Sequence, residues 1–214
     1  MQEKHSRFFL ALQRRLSQPL PGELAHQQMA SSERTGAPSR AVPNEKTRQS
    51  AVLLLLYPYQ HDLWLPLILR PVYDGVHGGQ MALPGGGAEY YDRSLVHTAL
   101  REAQEEIGIK ATDVHVLGEL TQLYIPPSNF LVKPIVGYLP YRPDFFPDSR
   151  EVAGIVEVNL QTLADKQIIG SKEMFVRNVL LQAPFYNIHG HTVWGATAMM
   201  LSEFLMLLEG LGES

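Results

Sequence analysis

Apolar positions recur along this chain with a helical period at both ends and a strand-like period in between. Residues 5 to 17 carry Phe8, Phe9, Leu12 and Leu16 among basic side chains, which predicts a helix that Pro19 and Pro21 stop before a second short one from about Gly22 to Met29. From Ala30 to Gln49 the chain is rich in Ser, Thr, Arg, Pro and Gly and reads as an irregular surface connection. Segments 51–58 and 63–70 are apolar and flank Tyr59, Gln60, His61 and Asp62, the pattern of a hairpin. Gly75, Gly78 and Gly79 open a loop, Met81 to Leu83 forms a short segment, and Pro84 to Ala88 makes a glycine-rich turn into a helix from about Arg93 to Ile107, closed by Gly108. Strands are expected over 113–124, 130–139 and 152–158, with a Pro- and Asp-rich loop at 140–150 and further strands or a hairpin within 173–193. Ala196, Met199, Met200, Phe204, Leu205 and Leu208 give a last helix one apolar face. The elements describe a mixed sheet with helices and no internal repeat.

At 214 residues the chain is long enough for one well-buried catalytic domain with extensions. Its 18 Lys and Arg against 22 Asp and Glu leave a formal charge of -4, so no broad basic footprint for a nucleic-acid backbone exists. A small anionic substrate therefore calls for a bridging cation. The absence of cysteine excludes disulfides, thiolate metal sites and cysteine nucleophiles, and fits a reducing compartment, with the cytoplasm as default. The run Ala51 to Tyr57 is far shorter than the roughly 20 residues that span a bilayer, so no membrane association is expected. The amphipathic, Arg-containing N-terminal stretch lacks a secretory h-region, and it leaves a mitochondrial or peroxisomal destination open for a eukaryotic source. Homo-oligomerisation is likewise left open.

The chemistry concentrates between Gly78 and Ile109. On a helix at about 100° per residue, Glu102 and Glu106 project almost together and Glu105 lies one step aside, an arc of about 100° beside a core face of Val96, Ala99, Leu100, Ala103 and Ile107. Three carboxylates so placed repel one another unless a cation or partners compensate. Mg²⁺ and Mn²⁺ prefer such oxygen ligands and can be shared with a substrate diphosphate. By itself a Glu cluster is most often a solvated helix face, and Gly-Gly-Gly is a turn without the Lys-Ser/Thr ending of a P-loop. Their combination carries the signal: Gly85, Gly86 and Gly87 allow close backbone approach and deliver the chain to the helix with the glutamates.

Gly86, Asp92, Arg101, Glu102, Glu105, Glu106 and Gly108 together resemble the Nudix box. Asp92 stands where glutamate is usual, and eight residues, one more than usual, separate it from Arg101. The aspartate and longer spacing are similar to the coenzyme A pyrophosphatase branch. So are Leu69, Arg70, His77, Gly79, Gln80, Leu83 and Pro84 upstream, and Thr98 to Ala103 within the box. The likeness continues weakly through Phe130, Val132 and Pro134, through Glu151 and Val152, and through Trp194 to Ala198.

The resemblance implies a Nudix-like α/β/α sandwich on a mixed sheet, with residues 1–49 as an N-terminal helical extension and connection and 50–214 as the hydrolase domain. It implies that Glu102, Glu105 and Glu106 hold Mg²⁺ or Mn²⁺, with the Gly85 carbonyl and Glu151 as further ligands. Glu102 is the group to orient or deprotonate the attacking water, and Arg101 holds Glu105 in position. Arg70, His77, Gln80 and Lys133 are candidates for the substrate's phosphate or adenine. Tyr124, Phe130 and Trp194 could stack on a base, although aromatics near strands are more often core residues. The implied reaction is hydrolysis of coenzyme A or an acyl derivative to 3′,5′-ADP and a 4′-phosphopantetheine product. Two alternatives stand beside it: a pyrophosphatase for ADP-ribose, dinucleotides or nucleotide sugars, and a non-catalytic nucleotide-sensing domain.

Overall fold

A computed structural model describes residues 2–33, 42–71, 79–176, 179–209 and 211. Two helices, α1 (Gln2–Leu16) and α2 (Glu23–Gln28), precede β1 (Ser32–Glu33), β2 (Arg48–Tyr59) and β3 (Asp62–Leu69). Then come β4 (Met81–Ala82), β5 (Gly85–Gly87), α3 (Leu95–Ile107), β6 (His115–Glu119), β7 (Leu123–Ile125), β8 (Phe130–Tyr138) and β9 (Gly154–Asn159). The chain ends with α4 (Leu160–Ala164), β10 (Ile169–Val176), β11 (Val179–Ile188), β12 (His191–Trp194) and α5 (Gly195–Leu208).

β2 is the axis of the main sheet. Its apolar run is nearly continuous because both faces are covered. Val52, Leu54 and Leu56 enter one core cluster, while Ala51, Leu53, Leu55 and Tyr57 enter the other. β2 pairs with β3 at the hairpin, with β5 antiparallel and with β8 in parallel, so the sheet is mixed. β9 and β4 flank β3, and β6 and β7 share the far edge of β8. A second sheet places β11 between β10 on one edge and β12 and β1 on the other.

α3 covers one face of the main sheet through Ala99, Ala103 and Ile107. The other face is covered by α1 and α5, with α2 packed against α5; Phe9, Leu12, Leu16 and Met29 are buried in the same cluster as Leu201, Phe204 and Leu207. Each such buried side chain contributes about 2 kcal/mol, so α1 and α2 are held to the core by apolar burial.

Several elements differ from the sequence reading. The expected strand over 113–124 is two strands. β8 contains Pro134, which has no N–H to offer its neighbour, and its carbonyl takes the Leu120 amide (2.9 Å). Thr121 then turns to the buried Glu203 with its amide (3.2 Å) and hydroxyl (2.6 Å), which breaks the ladder. The glycine turn at 84–88 contains a short strand, with Gly85, Gly86 and Gly87 opposite Val52, Ala51 and Ser50. The irregular stretch 30–49 includes β1 and the start of β2. The last helix has no single apolar face: α2 on one side and the sheets on the other bury Thr197, Ala198, Met200, Leu201, Ser202, Glu203, Phe204 and Leu207. No helix among the described residues is long and apolar enough to cross a membrane.

Candidate active site

The site forms where β5 meets α3. Ser94 caps α3 by accepting from the His97 amide (3.2 Å), and Gly108, at φ 72°, ends it. The small side chains of Ala99 and Ala103 let the helix lie close to the sheet. That proximity is used at both of the first two glycines. The Gly85 amide donates to Glu106 Oε2 (2.7 Å), at φ 150° and in a space where a side chain would overlap the Ala51 carbonyl and Val52 Cα. A methyl group on Gly86 would overlap the Glu102 carboxylate. Glycine is required at 85 by the close approach of β2 and at 86 by the close approach of the Glu102 carboxylate on α3.

Arg101 organises the opposite flank. It makes a two-point contact with Asp92 (Nε to Oδ1 3.0 Å, Nη2 to Oδ2 2.8 Å) and donates to Glu102 Oε1 (2.8 Å), Glu105 Oε2 (3.0 Å) and the Gly87 carbonyl (3.1 Å). Such forked, charge-assisted contacts fix geometry as well as adding energy. Asp92 is almost fully buried and also accepts from the Glu89 amide (3.0 Å) and Thr98 Oγ1 (2.9 Å), with His97 Nδ1 at 2.8 Å. The Arg101 guanidinium, helped by these other donors, holds the Asp92 carboxyl far below the usual carboxylate range.

The glutamates are shifted the other way. Burial pushes Glu106, 1% exposed, up to about 7; Arg70 and the Gly85 amide pull against this, and the charges of Glu102 and Glu151 add to it. Burial also raises Glu102, with Arg101 opposing and Glu105 and Glu151 reinforcing. Two partly or fully buried carboxyls that repel each other are groups a cation would keep ionised.

Of the residues singled out in the sequence, Glu102, Glu105, Glu106, Arg101, Gly85 and Arg70 are brought together. Arg70 Nη2 donates to the Gly85 carbonyl (3.2 Å) and lies 3.7 Å from Glu106 Oε1. Gln80 sits beside it, its carbonyl accepting the Arg70 amide (3.0 Å). Glu151 is exposed on the loop before β9, within electrostatic reach of Glu102 and Glu106. That loop docks on the end of α3, where the Phe146 and Asp148 amides donate to the Ile107 and Glu106 carbonyls (3.0 Å each). Lys133 stands opposite Ala51 on β8 and is engaged by Glu119 at 2.9 Å. His77 lies outside the described residues.

Arg101 donates to Glu105, but its principal anchor is Asp92. The task of Asp92 is not visible in the sequence, because only the closed loop shows how many donors converge on it.

The donor set suits a hard divalent cation: it consists entirely of oxygen, and glycine at 86 leaves the space that the Glu102 carboxylate occupies. Among the described residues the carboxylates do not converge on one point, because Arg101 draws Glu102 and Glu105 while the Gly85 amide holds Glu106. Glu105, with its side chain 56% exposed, is the most open of the three helix glutamates.

Comparison with known proteins agrees with this geometry. A family profile described as NUDIX domain matches residues 47–175. The chain is 38% identical over 155 residues to a Yersinia pestis (strain Pestoides F) protein named uncharacterized Nudix hydrolase NudL, covering 72% of this chain and 77% of that protein. Among solved structures, a MutT/nudix family protein from Enterococcus faecalis is similar with a TM-score of 0.50 at 15% identity, covering 79% of this chain and 66% of that one. The MutT protein from Methanosarcina mazei Go1 gives a TM-score of 0.50 at 19% identity, covering 78% and 99%. These two likenesses concern the fold alone. The profile spans more than half of the chain and the sequence match runs through the glycine strand and carboxylate helix, so the chain belongs to the Nudix family and is a Nudix hydrolase, of a family that generally uses divalent metal cations.

Proposed function

We propose that the protein hydrolyses the pyrophosphate of coenzyme A or an acyl-coenzyme A, giving 3′,5′-ADP and a 4′-phosphopantetheine product, with Mg²⁺ or Mn²⁺. The observation that carries this reading is Asp92. An aspartate one residue further from Arg101 than usual is the feature that resembles the coenzyme A pyrophosphatase branch. Here that aspartate's side chain is almost fully covered and clamped by Arg101, Thr98, His97 and the Glu89 amide. The longer spacing thus serves a defined contact beside the carboxylates.

In this reading Glu102, Glu105, Glu106 and the Gly85 carbonyl would hold the cation, with Glu151 joining from its loop. A bound divalent cation neutralises diphosphate oxygens and activates water for attack on phosphorus. The water oxygen would form a new bond to one phosphorus as the bridging P–O bond breaks, its electron pair leaving with the departing phosphate oxygen, and the proton would pass to the Glu102 carboxylate, which a bound cation keeps ionised. Arg101 keeps Glu102 oriented. Arg70, directed at Gly85, would meet the phosphate oxygens, with Gln80 beside it, Lys133 on β8 across β2, and His77, three residues before Gln80 in the sequence, as a further candidate.

A panel of coenzyme A, 3′-dephospho-coenzyme A, ADP-ribose and NADH, with products resolved by mass, tests the substrate assignment. Coenzyme A should give the highest kcat/KM. Preference for ADP-ribose or NADH would retain the hydrolase and overturn the substrate.

A further inference from the structure

The cations closest to the glycine strand are mostly matched by acids. Arg101 faces Asp92, Glu102 and Glu105; Arg70 approaches Glu106; Lys133 is engaged by Glu119. Arg48 differs. It opens β2, is exposed, and has no acidic partner among the described residues. Its guanidinium carbon lies 4.6 Å from the centre of the half-buried Phe130 ring, and its Nη2 would be 3.4 Å from a side-chain carbon built on Gly87.

This placement is built from several directions. The Arg48 amide donates to the Asn129 carbonyl (3.0 Å), and Asn129, at φ 52°, accepts from Thr47 Oγ1 (2.8 Å) and the Tyr124 hydroxyl (2.9 Å) while donating to the Lys46 carbonyl (3.0 Å). Ser50 Oγ donates to the Gly86 carbonyl (2.7 Å), and the Ala88 amide to the Gln49 carbonyl (3.0 Å), locking the two strands together on either side of Gly87. A cation held over an aromatic ring beside a bare glycine backbone is arranged to receive an anion.

We propose that Arg48 binds the phosphate on the ribose of the substrate, the 3′-phosphate of a coenzyme A-type nucleotide, with Phe130 as the positioning residue beneath it. The inference rests on the substrate reading above. β5 pairs with β2 along one edge and meets Arg70, Glu106 and Arg101 along the other. Cleavage chemistry sits at the Gly85–Gly86 end, whereas Arg48 sits at Gly87. Gly86 faces Glu102 and Gly87 faces Arg48, so the two groups lie on opposite faces of the short strand β5, and a substrate bent round that strand would carry its diphosphate on one side and its ribose phosphate on the other. A second anionic group carried on the ribose therefore falls at Arg48 when the diphosphate lies at the glutamates.

The test is the ratio of kcat/KM for coenzyme A to that for 3′-dephospho-coenzyme A, in the wild type, Arg48→Gln and Arg48→Lys. A charge-assisted contact predicts a wild-type ratio of about tenfold or more, falling toward one in Arg48→Gln and largely kept in Arg48→Lys. The change should appear in KM rather than kcat. A merely structural role for Arg48 lowers both substrates alike and leaves the ratio intact. A preference that survives in Arg48→Gln overturns the assignment of Arg48 while the substrate reading stands. No preference in the wild type overturns both.

Discussion

Glu102 and Gly86 constrain each other: the carboxylate fills the space that a methyl on the glycine would take. Gly86→Ala should displace Glu102 and lower kcat by about tenfold to a hundredfold, read in steady-state kinetics beside a melting curve that shows the fold retained. Glu106→Gln tests the buried carboxylate. It preserves shape and an acceptor for the Gly85 amide but removes the charge, and about a hundredfold or greater loss of kcat is expected. A variant as active as wild type would remove Glu106 from the chemistry. The three glutamates were legible in the sequence because helical geometry alone places them on one arc. The Arg101–Asp92 clamp was not, since it depends on how residues 88–94 close. Nor was the pairing of Lys133 with Glu119, which requires β6 to lie beside β8. Arg48 went unread because a lone charge at a strand entrance has no periodic signature.

Among the elements, α2, α5 and the β6–β7 connection are tied by one buried acid. Glu203 is fully buried and accepts from the Gly22 amide (3.1 Å) and Thr121, with His26 Nε2 at 3.0 Å. Burial raises its carboxyl, but the contacts from His26, Thr121 and Gly22 outweigh that and bring it below its ordinary value of 4.5. A depressed carboxyl stabilises the fold above its unfolded value and loses that contribution as pH falls. Thermal melts should therefore show an acid-side decline beginning below about pH 4.5 that is shallower in Glu203→Gln. At neutral pH, Glu203→Ala should cost about 3–5 kcal/mol, because its partners are left buried and unpaired. An unchanged melting midpoint would mean the tie is dispensable. A glutamate within an apolar helical run gave no hint of this role, and for the same reason the sequence reading missed the break between β6 and β7. The α3 boundaries were close to legible, since Ser94 and Gly108 mark them by ordinary capping chemistry.

At the scale of the molecule, the sheet with α3 on one face and α1, α2 and α5 on the other follows from β2, whose apolar run is buried on both sides. Leu12, fully buried from α1, should cost about 2–5 kcal/mol when truncated to Ala, measured by denaturant unfolding. A negligible change would show that α1 is only loosely applied to the core. The mixed sheet was legible from alternation and turn residues. The second sheet was only partly so, because pairing of β11 with β1 joins segments far apart in sequence. The central claim is that a cation held by the carboxylates of α3 drives cleavage of a coenzyme A pyrophosphate, and product analysis of coenzyme A incubated with Mg²⁺ or Mn²⁺ tests it most directly. The account predicts 3′,5′-ADP and 4′-phosphopantetheine in the wild type, abolished by chelation and nearly absent in Glu106→Gln; intact coenzyme A under all conditions would contradict it.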